Sequence, residues 1–179
     1  MDGLIIHYLT EMARFCFVNR WKEKKEQSHK TRFITSDIEG KEIYDMIDSY
    51  LTSHFDWKND KEIVVWAEIG REIGFWILED KTKKYKKVSE KMQKEDGHCS
   101  FSKDEKYILY DTYPIENYQY LKIFDIGKDI EKIIGKFYSL PFLIEPIRCD
   151  LHPRWENYNK ITFDSTFEKY RRSYVLKLE

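Results

Sequence analysis

Short apolar segments separated by polar turns run along the chain, and three groups of segments begin in the same way. Each group opens on a histidine that is followed three residues later by an aromatic residue: HFDW at 54–57, HCSF at 98–101 and HPRW at 152–155. A polar turn and a second apolar segment follow each tetrapeptide, which is the pattern of a β-hairpin. The repeated tetrapeptide therefore predicts the same pair of strands three times.

The segments that follow extend each group to three or four strands. The second segments are predicted at 63–66, 107–110 and 161–163, and the third at 74–78, 120–125 and 173–178. The first two groups add a more polar fourth segment, at 84–88 and 129–134. Apolar inner strands and a charged last strand are typical of a sheet whose outer edge meets solvent.

A looser copy of this group precedes the others. Its segments are predicted at 5–7, 13–18, 31–35 and 42–44, with His7 as a fourth histidine, although the residue three positions later is Thr10. Helices at 4–18 and 43–51 are the alternative interpretation of this region. Neither segment has a convincing apolar stripe with a period of 3.6 residues, so strands are favoured.

A four-stranded group that recurs about every 40 to 50 residues is typical of a β-propeller blade. We predict an all-β protein with about four four-stranded antiparallel blades in an incomplete ring. It forms one domain, residues 1–179, and the blades lie approximately at 4–49, 52–92, 97–138 and 148–179. The last group ends after its third strand.

The composition and charge of the chain indicate which classes of binding partner to expect. The net charge is −1 and aromatic residues make up 16% of the chain. Acidic and basic residues are mixed, so we expect neither a nucleic-acid partner nor a membrane partner. The start of the chain lacks the pattern of a signal peptide, and Cys16, Cys99 and Cys149 have no paired spacing. We therefore expect a cytoplasmic protein with reduced thiols.

Two stretches resemble a known family. DGHCSFSKDEKYILYDTYP, residues 96–114, resembles the TolB-type, WD-like propeller repeat, in which a histidine or proline and Ser-Phe-Ser-Pro-Asp-Gly precede a strand. Together with RCDLHPRW at 148–155, it resembles bacterial propellers related to oligogalacturonate lyase. The resemblance is strongest over 53–179 and weak before residue 33. The usual turn departs from the pattern, because residues 102–105 are Ser-Lys-Asp-Glu and residues 156–159 are Glu-Asn-Tyr-Asn.

The resemblance implies more blades than this sequence supplies, and a blade needs neighbours to bury its faces. Three explanations stay open. The chain is the C-terminal part of a longer protein, it pairs with a second copy to build a ring, or it is an open array.

The histidines are the candidate site. The first strand of each propeller blade lines the central channel, so residues in the same frame are expected to point toward one axis. His54, His98 and His152 are therefore predicted to bind a divalent metal of the manganese, calcium or zinc class. Asp111 and Asp150 are predicted to hydrogen-bond to these histidines without binding the metal themselves.

The resemblance to oligogalacturonate lyase implies a more specific chemistry. That family holds a metal mainly through histidines, plus a glutamine, and cleaves uronate oligosaccharides by β-elimination. No glutamine is adjacent to His98 or His152 in the sequence. Arg148 and Arg154 flank His152 and are the candidate catalytic groups, suited to binding a carboxylate. The expected ligand is an acidic oligosaccharide or another small polar molecule.

A structural interpretation competes with this site. Histidines at strand starts can hydrogen-bond to the neighbouring blade, and repeat proteins reuse such residues at each interface. The chain would then be a non-catalytic interaction scaffold or an inactive part of a propeller. The aromatic residues of the tetrapeptides, Trp57, Phe101 and Trp155, are expected to pack in the core rather than to stack on sugars.

Overall fold

Four antiparallel sheets account for the regular structure of the chain. The structure is a computed structural model that describes residues 14–22, 30–47, 49, 51–141 and 147–178, together with the backbone of residues 4–7. These residues form fifteen strands and no helix, and none of them belongs to a helix that could cross a membrane. Two compact units divide the chain, the first at 1–94 and the second at 95–179.

The first unit contains two four-stranded sheets in which each strand pairs with the next. The first blade consists of β1 (Leu4–His7), β2 (Arg14–Trp21), β3 (Lys30–Asp37) and β4 (Tyr44–Asp45). The second blade consists of β5 (Thr52–Trp57), β6 (Glu62–Ile69), β7 (Glu72–Glu79) and β8 (Tyr85–Lys87). This meander is the expected topology for strands that follow one another in sequence.

The second unit repeats the arrangement with one strand fewer. The third blade consists of β9 (Cys99–Phe101), β10 (Tyr107–Asp111), β11 (Tyr118–Asp125) and β12 (Ile130–Tyr138). The fourth blade consists of β13 (Arg154–Asn157), β14 (Lys160–Ser165) and β15 (Arg172–Lys177), in that order across the sheet. The prediction of an all-β chain built from four antiparallel sheets is therefore confirmed.

The helical alternatives for the N-terminal region are wrong where the structure describes it. β2 occupies 14–21 and β4 begins at Tyr44, while 8–13, 48 and 50 lie outside the described residues. Along β2, buried residues alternate with partly exposed ones, as on a strand with one face in the core. Tertiary pairing with β3 decides this region, which has no strong local preference of its own.

The aromatic residues of the tetrapeptides occupy equivalent places in three blades. Each lies directly opposite the first isoleucine of the next strand, and the pairs are Trp57 with Ile63, Phe101 with Ile108 and Trp155 with Ile161. Phe101 is buried, Trp57 packs against the core of the first unit, and Trp155 packs against that of the second. Their predicted place in the core is confirmed.

The second strands of the blades differ in whether one or both of their faces are buried. In β6 and β10, successive residues such as Ile63–Val65 and Ile108–Tyr110 are all buried, so both faces of these strands are covered. In β14, buried Ile161 and Phe163 alternate with partly exposed Thr162 and Asp164, so only one face is buried. Inner strands that are apolar on both faces were predicted for the second and third blades, and β6 and β10 fit that prediction.

Candidate functional site

The third blade begins with a close approach between two backbone segments. A Cβ atom on Gly97 would lie 2.2 Å from the carbonyl oxygen of Asp111 and 3.1 Å from its Oδ1 atom. Only glycine leaves room for this contact, since Cβ atoms do not approach a carbonyl oxygen so closely. The residue before the first histidine of the site therefore lets the end of β10 lie against the start of β9.

Asp111 connects the third and fourth blades. Its carboxylate is almost fully buried, and Oδ1 accepts a hydrogen bond from the backbone N–H of His98 at 2.7 Å. Its Oδ2 lies 3.0 Å from Nδ1 of the His98 ring and accepts a hydrogen bond from the backbone N–H of His152 at 3.0 Å. One carboxylate thus fixes the His98 ring and the backbone that carries His152.

The two imidazoles lie against each other. Their ring centroids are 3.5 Å apart and the ring planes are inclined by 34°. His152 has a φ of +42°, a left-handed conformation that is uncommon for a side-chain-bearing residue, and it precedes Pro153. Such strain persists only where the surroundings impose it. Here the hydrogen bond from its N–H to Asp111 holds His152 in place.

The surroundings move the pKa values of the two histidines apart. Burial alone would lower the pKa of His98, but the hydrogen bond and the charge of Asp111, helped by Asp150 and Asp96, raise it above the ordinary value. Burial and the neighbouring His98 lower the pKa of His152. The pair therefore favours holding one proton, on His98, rather than two.

Asp150 organises a second group of side chains beside the histidines. Nε and Nη2 of Arg148 donate to the two oxygens of Asp150, at 2.6 and 2.9 Å. The Arg148 guanidinium also lies over the Tyr113 ring, 4.5 Å from its centroid, and that ring makes an edge contact with His98. Burial, together with the charges of Asp96 and Asp150, raises the pKa of Tyr113.

Gln119 belongs to this group, although no sequence motif marks it. Its Nε2 donates to Asp150 at 3.2 Å, and its side chain is fully buried. Its Oε1 is buried without a hydrogen-bond partner. The sequence places no glutamine next to either histidine, but the fold brings Gln119 to the carboxylate two residues before His152. A polar residue in the otherwise aromatic stretch at 118–120 is the only sequence signal for it.

Two further predicted site residues, His54 and Arg154, have local partners. His54 belongs to the first unit, where its Nδ1 lies 3.0 Å from Oγ of Ser53. Arg154 begins β13, is about half exposed, and reaches Asp164 at 3.6 Å. The structure thus brings together Arg148, Asp111, Asp150, His98 and His152, whereas the contact it shows for Arg154 is the ion pair with Asp164.

The prediction that His7 continues the histidine frame is wrong. His7 is the last residue of β1 and pairs with Cys16, next to the hairpin. His98 precedes the first residue of β9, at the other end of the inner strand, where its carbonyl accepts the N–H of Asp111. His7 therefore stands near the place that the aromatic residue occupies in the other blades.

A metal ion fits the two imidazoles only in part. Nδ1 of His98 faces a carboxylate, as in metal-ligating histidines, which coordinate through the other nitrogen. However, no group of three His, Cys, Asp or Glu side chains among the described residues is arranged to hold a metal ion. The two adjacent imidazoles therefore offer two ligands of a coordination set that needs more.

Solved structures identify the fold. The chain is similar to TolB from Acinetobacter baumannii (12% identity, TM-score 0.63), covering 96% of this chain and 41% of that one. It is similar to an oligogalacturonate lyase from Vibrio parahaemolyticus (12% identity, TM-score 0.67, covering 94% and 46%). The β-propeller domain of the Trilobed protease from Pyrococcus furiosus, which has an open velcro topology, also matches (13%, TM-score 0.55, covering 99% and 56%).

A second oligogalacturonate lyase structure in complex with manganese is also similar, with 10% identity and a TM-score of 0.50, covering 93% of this chain and 62% of that one. No protein-family model and no curated protein sequence match the chain. Identities this low establish the fold alone. The chain spans about half the length of the propeller proteins it resembles, and its four blades form an incomplete propeller of the TolB-like type.

Proposed function

We propose that the second unit binds an acidic oligosaccharide or a similar polar anion beside His98 and His152, together with a divalent cation to which the two imidazoles would supply two of the ligands. The observation that carries the proposal is the pair of adjacent, mutually tilted histidine rings held by buried Asp111. A buried carboxylate that orients a histidine through Nδ1 is the usual support of a metal-ligating imidazole.

The local charge favours a cation as the first ligand. Asp96, Asp111 and Asp150 all act on the titration of His98, and Arg148 is engaged by Asp150. Three carboxylates outweigh one guanidinium and one imidazolium, so an anion alone would meet a negative surface. A divalent cation held by His98 and His152 would reverse that sign and would give a sugar carboxylate a partner. Neutralising that carboxylate would make the proton on the adjacent sugar carbon more acidic.

The two arginines would contribute differently to such a site. Arg148 is held by two hydrogen bonds to Asp150 and by contact with Tyr113, so its guanidinium would keep a fixed position beside a bound ligand. Arg154 is about half exposed and its ion pair to Asp164 is long, at 3.6 Å. We expect Arg154 to exchange this contact for a ligand carboxylate at little cost, since exposed ion pairs are weak.

A scaffold without ligand is the second candidate, and one observation favours it. Asp111 already uses the two histidines to join β9 to the start of the fourth blade, and Ser100 Oγ donates to the carbonyl of Pro153 at 3.2 Å in the same joint. In this case the histidines stabilise the interface between blades and bind nothing.

Manganese binding to the full chain separates the two candidates. Equilibrium dialysis with Mn²⁺ is expected to show one site, and His98→Ala and His152→Ala should each weaken it at least about tenfold. His29→Ala, a histidine outside the repeated frame, is the matched control. His54→Ala tests whether the third predicted ligand takes part. If the wild type binds no Mn²⁺, and both variants lose stability instead, the scaffold is correct.

The ligand class is tested in a separate titration. Oligogalacturonate should bind in the presence of Mn²⁺ and bind more weakly after chelation, while a neutral oligosaccharide of equal length should not bind. Arg154→Gln should weaken oligogalacturonate binding without changing Mn²⁺ affinity. Equal binding of charged and neutral sugars would contradict the proposed selectivity.

A further inference from the structure

Gln119 occupies a position of β11 that faces the core of the second unit. At the start of β11, buried Gln119 and Leu121 alternate with two partly exposed tyrosines. Leu121 belongs to the core of this unit, and Phe137, which lies directly opposite Gln119 on β12, packs against the same core. Such a position usually carries an apolar side chain, so packing alone does not account for the amide of Gln119.

One end of the Gln119 amide is hydrogen-bonded and the other is not. Nε2 donates to Oδ1 of Asp150 at 3.2 Å, whereas Oε1 is buried and has no hydrogen-bond partner among the described residues. The reverse orientation of the amide would place its oxygen against the carboxylate, so the direction of this hydrogen bond is fixed. Because a buried amide oxygen without a partner destabilises a fold, Gln119 adds little net stability at this position.

The carboxylate that Gln119 contacts already has a strong partner. Nε and Nη2 of Arg148 donate to the two oxygens of Asp150, and the Asp150 side chain is 12% exposed. This bidentate pair satisfies the charge of the carboxylate without a third donor. The third donor instead restrains rotation of the carboxylate, because it comes from β11, whereas Arg148 is two residues from Asp150 in the chain.

The orientation of the Arg148 guanidinium depends on that of the Asp150 carboxylate. In a bidentate pair the two planar groups are held in a defined geometry, so a rotation of one turns the other. The guanidinium also lies over the Tyr113 ring, 4.5 Å from its centroid. Two contacts with the third blade therefore orient Arg148, one directly through Tyr113 and one through Asp150 to Gln119.

We propose that Gln119 is a positioning residue, which fixes the orientation of the Arg148 guanidinium through Asp150. This inference rests on the proposed function, in which Arg148 lies beside the bound anion. Gln119 is fully buried, so it acts on the ligand through Arg148 and contacts neither the ligand nor the cation. A guanidinium that is already oriented loses less freedom when it pairs with the carboxylate of a ligand, which strengthens binding.

Side-chain NMR of Arg148 tests the positioning without any ligand. Gln119→Met removes the amide and keeps a side chain of similar length, and it should speed exchange of the Arg148 Nε–H with water at least about fivefold. Gln93→Met, at a buried glutamine of the first unit, is the matched control and should leave this exchange rate unchanged. The urea midpoint of Gln119→Met should stay close to that of the wild type.

Titration of the same variants with ligand tests the consequence for binding. With Mn²⁺ present, Gln119→Met should weaken oligogalacturonate binding at least about fivefold, and it should leave the affinity for Mn²⁺ unchanged. In an Arg148→Lys background, Gln119→Met should have no further effect on oligogalacturonate binding. Lysine cannot form the bidentate pair through which Gln119 acts, so the two changes are not additive.

The outcomes separate the positioning role from the proposed function. An unchanged exchange rate of the Arg148 Nε–H in Gln119→Met would overturn the positioning role, and so would a urea midpoint that falls well below that of the wild type. An equal loss of oligogalacturonate affinity in both backgrounds, or a loss of Mn²⁺ affinity, would also overturn it. A wild type that binds no oligogalacturonate would contradict the proposed function, whereas faster Arg148 exchange in Gln119→Met would still support the positioning role.

Discussion

A buried aspartate joins neighbouring blades in each unit, but its partners differ. In the first unit, Asp80 accepts hydrogen bonds from Nε of Arg14 and Oγ1 of Thr35, both at 2.6 Å, and so ties the turn after β7 to β2 and β3. In the second unit, Asp111 binds the His98 ring and the backbone of His98 and His152. We call each of these aspartate-centred contacts between blades a joint. The Asp80 joint contains the permanently charged guanidinium of Arg14, and the Asp111 joint contains the titratable imidazole of His98.

This difference decides which of the two joints is the candidate for binding a ligand. Arg14 and Asp80 are both almost fully buried, so neither charge is accessible to a ligand from solvent. His152 is exposed beside His98, and its backbone is strained. A buried polar joint can be built with either partner, so the choice of histidine in the second unit marks it as the candidate site.

The largest effect is expected from Asp80→Ala. It leaves the buried guanidinium of Arg14 without its main counter-charge, which costs about 3–5 kcal/mol of unfolding free energy. Glu42→Ala removes the exposed partner of the same arginine and should cost less than about 1 kcal/mol. Urea denaturation measures both. Equal losses would mean that Asp80 is not the structural joint.

Gly97→Ala should be the next most damaging change. The new Cβ would overlap the Asp111 carbonyl, and the backbone must move to relieve the contact, at a cost of about 3 kcal/mol. Gly127→Ala is the control in the same unit, because its Cβ would meet only Asp125 Oδ1 at 3.7 Å. Thermal denaturation compares the two variants. A stable Gly97→Ala protein would show that the close approach is not needed.

Asp111→Asn should cost about 1–2 kcal/mol, because one amide oxygen cannot accept from both the His98 and His152 N–H groups. It should also lower the pKa of His98, since burial then acts without the opposing carboxylate. NMR titration of the imidazole signals measures the shift. The turn variant Asp104→Asn should leave the pKa of His98 unchanged.

The smallest effect is a difference in pH dependence between the units, measured in chelator. The raised pKa of His98 gives stability that is present below the ordinary value of 6.5 and is lost as pH rises through the raised pKa. The lowered pKa of His152 gives stability that is present above 6.5 and is lost as pH falls through the lowered pKa.

The two histidine contributions together predict that unfolding free energy of the second unit is greatest near the ordinary histidine pKa. The Arg14–Asp80 joint should show no such maximum, since its guanidinium stays charged. Hydrogen exchange at several pH values resolves the two units. The same pH profile in both would remove the distinction between them.

Much of the fold was predictable because strand pattern and turns are local properties of the sequence. The apolar segments after each tetrapeptide became β6, β10 and β14, and the aromatic residues took equivalent positions opposite Ile63, Ile108 and Ile161. The three-residue spacing from histidine to aromatic was enough to align the blades at the aromatic end of their first strands.

The site was less predictable because backbone irregularities change where a side chain lies, even when its spacing along the sequence is the same. The register slips between Thr52 and Phe55, next to His54, and His152 takes a left-handed conformation. The three histidines therefore differ in backbone conformation, although each has the same spacing to its aromatic residue. Asp111 was expected beside the histidines, but its bonds to two blades, and the contact of Gln119 with Asp150, depend on tertiary structure.

The proposed cation site requires that His98 and His152 bind the ion together, with Asp111 as their support. NMR observation of the imidazole signals during addition of Mn²⁺ tests it most directly, because the paramagnetic ion broadens signals close to it. We expect the signals of His98 and His152 to broaden together at substoichiometric Mn²⁺, and we expect Asp111→Asn to need more Mn²⁺ for the same effect. Sharp signals from both rings at excess Mn²⁺ would contradict it.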